Sequence, residues 1–421
     1  MLYGIVDCNN FFVSCERVFN PSLERRPVVV LSNNDGCVIA RSNEAKRLGI
    51  PMGCPAFQIR DYTDPNGVIM LSARHIVYSD LSHRIMHIVG SLVEGVEVYS
   101  VDEAFFRLPD DDIDRCHAMM ADMVRRIRRD VGVPVSVGIA PTRTLCKIAV
   151  DVAKKHPAIK DGVYWIVRPD AIDIMLRRTP IDDVWGVGRR LAPQLESRGI
   201  RTARDLASLP PDVVRRNYNV TLERTARELN GEDCLRVSAI TMSRQSIMNS
   251  RTFATVLVDR REIADAVVNF AERCAKHLRD EHSVAATVMV HLRGDYFRKD
   301  LPYYSNSCSV RLATPSASTT TIVHYAMIAF GNIFRYGYNY RKAGVLVTDL
   351  APDTGVQLSV FDTTDHGKQR QLMQAIDNIN STFGDHLVQL VPQASPDAKW
   401  RPKQEHRAPT GKTLRFYTAM P

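Results

Sequence analysis

At 421 residues the chain is too long for one ordinary core, and about two to four domains are expected. Its 45% hydrophobic and 24% charged residues argue against a disordered chain, no apolar run has the length of a membrane span, and the net charge of +8 favours a polyanionic partner. Nine cysteines without a Cys-x-x-Cys pair argue against a disulfide framework and read as the reduced thiols of a cytoplasmic protein; the N-terminus has no basic stretch before its apolar run and is not a signal peptide.

Residues 1–12 predict a strand, closed by Ile5-Val6-Asp7, that runs into a turn. Residues 13–73 carry a second strand, Pro27–Leu31, a loop through Ser32-Asn33-Asn34-Asp35-Gly36, and a short helix with Ala45, Lys46 and Leu48 that ends at Gly49. Residues 74–165 alternate helix and strand. Within them, Cys116–Arg129 is amphipathic: Met119, Met120, Met123, Val124 and Ile127 share one face, and Arg125, Arg126, Arg128 and Arg129 crowd a solvated one. Pro134–Ile139 reads as a buried strand. From 166 to 240, short helices are punctuated by Gly and Pro. From 244 to 350, candidate strands near 247–257, 284–293, 304–312 and 342–350 alternate with helices near 262–281 and 319–335, a complete α+β unit. The segment 351–421 is richer in Gln, Pro, Asp, Lys and Thr with weak periodicity, and is expected to be a partly disordered tail carrying short motifs.

The chemistry concentrates at Tyr99–Phe106, where Asp102 and Glu103 are adjacent at the end of an alternating apolar run. Neighbouring carboxylates repel unless a cation lies between them, and hard divalent cations take oxygen ligands. With Asp7 they make three acids on two strand ends, beside Phe11, Phe12, Phe105 and Phe106 and with no basic residue adjacent. Pattern alone leaves two readings open, surface acids and a two-metal site for phosphoryl chemistry.

Lys46, with Arg41 and Asn43 before it, and the pair Lys154 and Lys155 could place point charges on a triphosphate or line solvated helix faces. Val184-Trp185-Gly186-Val187-Gly188-Arg189, followed by the helical pattern Thr202–Leu206, resembles a helix-hairpin-helix, in which glycines let backbone amides reach a DNA phosphate. His83 and His87 have zinc-ligand spacing but no third ligand in a matching arrangement, so they read as structural. Gln357-Leu358-Ser359-Val360-Phe361 has the form of a short peptide that docks in a partner's apolar groove.

Taken together these residues resemble the Y-family translesion DNA polymerases. Tyr99-Ser100-Val101-Asp102-Glu103-Ala104 is similar to the family's Ser-Ile-Asp-Glu-Ala signature, and Asp7 in Ile5–Phe12 to its first catalytic acid. Val28–Arg41, with Asn33-Asn34-Asp35-Gly36, resembles the UmuC branch, the catalytic subunits of DNA polymerase V; Asp182–Arg190, Leu222–Thr225 and Tyr340–Val345 continue the likeness, which thins beyond 361. The resemblance implies a multidomain α+β right hand: palm at 1–12 and 74–165, small fingers at 13–73, helical thumb at 166–240, little finger at 244–350 and a C-terminal tail at 351–421.

It further implies two Mg²⁺ ions on Asp7, Asp102 and Glu103 with the Cys8 carbonyl. Phe12 would be a steric gate against ribose beside Phe11, Cys37 and Ile39 a roof over the nascent pair, and Lys46, Lys154 and Arg41 contacts to the triphosphate. Gly186, Gly188 and Arg189 would meet DNA, and Gln357, Leu358, Val360 and Phe361 the sliding clamp. The family's triphosphate-binding Thr, Tyr and Arg are replaced here by Ala40, Asn43 and Lys46.

The implied activity is error-prone, DNA-directed DNA synthesis past lesions in the SOS response, from primer-template DNA and dNTP. The implied setting is cytoplasmic, at the nucleoid when active, with no membrane and with a processed UmuD homodimer and a RecA filament as partners. Two other readings share some features. A non-catalytic DNA- and clamp-bound scaffold needs no acids, and a two-metal nuclease gives Phe12, Lys46 and Lys154 no role.

Overall fold

The computed structural model describes residues 2–62, 67–108, 112–156, 158–235, 244–355, 365–384, 387–388, 399–400 and 403–408. The chain divides into two compact units, one of Met1–Ser32, Gly36–Thr241 and His406–Pro421, the other of Asn33–Asp35 and Met242–Glu405.

Among its described residues the first unit holds eight strands: β1 (Tyr3–Cys8), β2 (Val28–Leu31), β3 (Val38–Arg41), β4 (Ile69–Ser72), β5 (Glu94–Val98), β6 (Glu103–Arg107), β7 (Val135–Ala140) and β8 (Val163–Trp165). Five of them form a sheet in the order β5-β6-β1-β7-β8. β1 and β7 are buried along their whole length, as expected for central strands covered on both faces. Alternation sorts the side chains of β1. Val6 and Cys8 join the core beneath the Phe11–Phe19, His75–Leu92 and Ile113–Asp130 helices. Tyr3 and Ile5 join Phe105 under the Arg143–Lys155 helix.

That last helix lies directly on β7. A Cβ at Gly138 would come within 2.4 Å of the Val150 nitrogen and 2.5 Å of the Cys146 carbonyl, so glycine is what lets the backbones meet. Its N-terminus is anchored deep in the unit. Thr142 caps it, and the fully buried Glu228 carboxylate accepts from the Thr144 amide and hydroxyl and from the Leu235 amide.

The strands β3-β2-β4 form a second small sheet, with Val29, Leu31, Val38, Ala45 and Ile50 as its core. Residues 166–235 add short helices, among them Pro169–Arg178, Ala192–Glu196, Ala203–Ala207 and Val220–Leu229. The sequence pattern assigns the helix after the glycine hairpin to Thr202–Leu206. Instead Ala192–Glu196 comes first, started by Pro193 in its opening turn, where a missing N–H costs nothing.

The second unit holds β9 (Ser246–Leu257), β10 (Ser283–Gly294), β11 (Ser305–Ser316) and β12 (Tyr340–Pro352), antiparallel in the order β11-β10-β12-β9. The helices Arg260–Asp280 and Thr319–Ile333 cover one face around Phe253, Phe270, Phe330 and Tyr340. The elements match those expected for 244–350, each within a few residues.

The tail differs from expectation. His366–Phe383 is a helix whose Met373 is buried and whose Asp377 takes both sides of the Arg279 guanidinium, at 2.6 and 2.8 Å. Trp400 is buried edge-on against Phe270, 5.8 Å between ring centres. A few long-range anchors hold this segment, and a compositional reading has no access to them. Among the described residues no helix is long and apolar enough to cross a membrane.

Candidate active site

β1 and β6 run antiparallel with Asp7 opposite Glu103, so the two acids meet at one end of the five-stranded sheet. Asp102 stands just before β6, where its carbonyl accepts the Cys8 amide at 2.9 Å and its carboxylate accepts the Ser100 hydroxyl at 2.6 Å. Asp7 lies on the Ile5 face of β1 and Glu103 on the Phe105 face of β6, both under the Arg143–Lys155 helix. That helix supplies what the sequence reading found missing. Lys154 pairs with Asp7, and Lys147 Nζ lies 2.5 Å from Glu103 Oε1. The acids therefore have basic partners, 147 and 44 residues away in sequence, and lack of a neighbour in the chain is no argument for a metal.

The pair is nonetheless electrostatically unfinished. Burial, and then a hydrogen bond with Glu103, pushes the Asp7 carboxyl up to about 7 in spite of Lys154. Burial also works against the Glu103 carboxylate, but the hydrogen bond from Asp7 and the nearby Lys147 outweigh it and hold its pKa down. Two carboxyls crowded at facing strand ends, one with its pKa raised and the other with its pKa lowered, mark a place where a cation would ease the repulsion. Among the described residues no three His, Cys, Asp or Glu side chains are already gathered as a cage. The donors at hand are all oxygens, Asp7 and Glu103 in contact and Asp102 beside them, and that set fits a hard divalent cation.

A cationic group faces this pair. Burial, and then the charges of Arg41, Lys154 and Lys155, lower the Lys46 pKa, while Asp7 raises it. Lys46 is thus within electrostatic reach of three other cations and of Asp7, an arrangement suited to a polyphosphate. Arg41 also donates to the Ile50 carbonyl at 2.5 Å, which fixes its side chain across the small sheet. Asn43 accepts from Asn10 at 3.0 Å, tying this region to the turn after β1. Cys37 and Ile39 are half-buried on either side of Val38.

Phe12 is the second residue of the Phe11–Phe19 helix, which starts after Asn10 takes the left-handed conformation (φ 48°) that turns the chain off β1. Its ring stacks on Tyr78 at 4.5 Å and 16° and meets His75 edge-on at 5.9 Å. Tyr78 is fully buried and donates to Glu16, which Arg74 holds in an ion pair. Phe11 packs into the core.

The glycine hairpin follows the same layout. Gly186 has φ +93°, and the Gly188 carbonyl accepts from Leu191 and Ala192 to start the next helix. Gly186, Gly188 and Arg189 are exposed, whereas Trp185 turns inward. Its indole N–H donates to the Tyr99 hydroxyl at 3.3 Å, and its ring lies 5.7 Å from Phe105.

His83 and His87 are exposed on the His75–Leu92 helix. Arg125, Arg126 and Arg129 pair with Asp122 and Asp130 on a solvated face, as expected. Gln357–Phe361 lies outside the described residues. Sequence reasoning missed Lys147, Arg143 and Tyr78. The signal for the first two was the spacing 143, 147, 154, which puts three cations on one helical face.

Residues 6–151 match the impB/mucB/samB family, and residues 244–360 match the C-terminal domain of that family. The chain belongs to the impB/mucB/samB family. Residues 169–200 match the family's helix-hairpin-helix motif, and residues 370–413 a domain of unknown function. Among relatives, this impB/mucB/samB protein is 38% identical to "Protein UmuC" of Salmonella typhimurium over 97% of both chains, and 39% identical to "Protein SamB" of the same organism over 90% of both. It is 28% identical to "DNA polymerase IV 2" of Bacillus subtilis over 91% of this chain and 92% of that one. Of solved structures, a Y-family DNA polymerase chimera superposes with a TM-score of 0.66 at 22% identity, covering 84% of this chain and all of the other. The insertion ternary complex of Dbh DNA polymerase gives 0.55 at 21%, with the same coverage. The fold is that of the Y-family polymerases, and the UmuC branch is the one the sequence resembles.

Proposed function

We propose that this translesion DNA-directed DNA polymerase adds nucleotides at the Asp7–Asp102–Glu103 site, with two Mg²⁺ ions held by those carboxylates and by the Cys8 carbonyl. The observation that carries the assignment is the strand register that sets the buried Asp7 opposite the half-buried Glu103, with Lys154 paired to Asp7 and with Lys46 and Arg41 in electrostatic reach. Held by those residues, a divalent metal would supply a lower pKa for a primer 3′-hydroxyl and positive charge against the triphosphate. The chain's own residues do the rest. Lys46, Arg41 and Lys154 orient the triphosphate, and Lys154 exchanges Asp7 for phosphate as nucleotide enters. Phe12, backed by Tyr78, closes the space a ribose 2′-hydroxyl needs, and Cys37 and Ile39 cover the base pair. Gly186, Gly188 and Arg189 hold the DNA backbone.

The partners belong to the same reading: a sliding clamp on Gln357, Leu358, Val360 and Phe361, a processed UmuD homodimer and a RecA filament, with the enzyme working in the cytoplasm at the nucleoid. The test is primer extension with Mg²⁺ on damaged and undamaged templates, with and without those partners. Asp102→Ala or Glu103→Ala abolishes extension while DNA binding persists. Unchanged extension refutes the site. The scaffold alternative has no observation in its favour.

A further inference from the structure

We infer that Lys147 is a positioning residue that fixes Glu103 for catalysis and is itself seated by Tyr99 and Trp185; the inference rests on the metal-site reading above. The Arg143–Lys155 helix sets cations at 143, 147 and 154, within roughly 40° of one another around its axis. Each meets one acid of the sheet: Arg143 with Glu97 on β5, Lys147 with Glu103 on β6, Lys154 with Asp7 on β1. Arg143 sits 4.2 Å over the Phe105 ring, gripped through two nitrogens by Glu97, and serves packing. Lys154 is free to turn to phosphate. Lys147 has neither task.

Its surroundings hold it still. The ammonium touches Glu103 and lies 5.2 Å from the centre of the Tyr99 ring, a cation–π distance, with its side chain only 17% exposed. Tyr99 is pinned in turn by Trp185, edge-to-face at 5.6 Å and through the hydroxyl–indole hydrogen bond. A glutamate at a strand terminus has three side-chain torsions to settle. An ammonium seated on the Tyr99 ring and held against Glu103 removes that freedom before substrate arrives, and reactions of this kind lose about 10²-fold when a group is misplaced by about 1 Å.

The inference separates geometry from affinity. An ammonium against Glu103 competes with a metal ion for the same oxygens, so losing it leaves metal affinity intact or stronger while placement suffers. The full chain is tested as Lys147→Met, Lys147→Arg, Tyr99→Leu and Asp102→Asn. Primer extension gives kcat and KM, and Tb³⁺ luminescence sensitised by tryptophan reads metal binding without turnover. For Lys147→Met, kcat falls about tenfold or more, the dNTP KM stays within about twofold, and Tb³⁺ binds at least as tightly as in the parent. Lys147→Arg recovers most of kcat. Tyr99→Leu, at a half-exposed position where folding is safe, shows the same pattern more weakly.

An unchanged kcat in Lys147→Met overturns the inference. So does parallel loss of kcat and Tb³⁺ affinity, which marks plain structural damage, and so does a raised dNTP KM with kcat intact, which marks a nucleotide contact. Asp102→Asn tests the underlying reading separately. If it binds Tb³⁺ and extends primers like the parent, the metal site itself is wrong, whatever Lys147 does.

Discussion

The stack of Phe12 on Tyr78 predicts that sugar selection depends on a residue that never touches sugar. On the proposed reading, Phe12→Ala removes the ring that would occupy the 2′-hydroxyl space. A pocket of this sort rejects an added hydroxyl by on the order of 10²-fold, so the ribonucleotide-to-deoxyribonucleotide ratio of kcat/KM is expected to rise by about that factor. Tyr78→Ala leaves Phe12 in place but takes away the ring beneath it, 4.5 Å below and nearly parallel. An aromatic pair contributes about 0.5–1.5 kcal/mol beyond its buried area, so a gate freed from the stack should relax by about twofold to tenfold. Because Tyr78 is fully buried, its truncation also costs about 3–5 kcal/mol of stability, and the assay is run well below the melting temperature of the variant. Tyr78→Phe is the control: it keeps the stack, loses the hydroxyl to Glu16, and should leave sugar selection within about twofold of the parent. Single-nucleotide insertion with matched dNTP and rNTP reads all three. If Phe12→Ala relaxes selection and Tyr78→Ala does not, the gate stands without its support and the reasoning fails. If neither does, Phe12 is not the gate.

Other expectations follow from the same geometry. Chelation with EDTA should stop extension and added Mg²⁺ restore it; activity that survives exhaustive chelation counts against the carboxylate site. Glu228→Ala strands three donors at the start of the Arg143–Lys155 helix and should destabilise the first unit by about 3–5 kcal/mol, read as a fall in thermal midpoint and in extension together. Lys46→Ala should raise the dNTP KM about tenfold with a smaller effect on kcat, because it withdraws one cation from the group proposed to hold phosphate in the ground state. Deleting Gln357–Phe361 should remove clamp-stimulated synthesis and spare distributive synthesis; equal loss of both would assign the peptide to folding.

How far the sequence could be read depended on the range of the interaction. β1 and β7 are legible because short apolar runs declare buried strands, and the order of elements in 244–350 gives an α+β unit directly; the run before Asp102 places the two acids at the end of a strand, whereas Glu103 begins β6. The partners of the acids were not legible, since Lys147 and Lys154 reach Glu103 and Asp7 only once a helix is laid on the sheet. Tyr78 was hidden for the same reason, as a core aromatic that gains its role from what stacks on it. In the tail, one buried methionine, one bidentate ion pair and one tryptophan do not make a periodic pattern, so a helix stands where composition suggests a partly disordered tail.

Gly138 carries no chemistry, yet the three cations of the Arg143–Lys155 helix are set at their height above the sheet by that bare backbone contact. A single methyl is the smallest addition available, and it already collides with main-chain atoms of the helix. The spacing between these cations and their carboxylates therefore has no graded settings. Arg143, Lys147 and Lys154 shift in concert or stay put, and an engineer wishing to adjust one pair must work on that side chain alone.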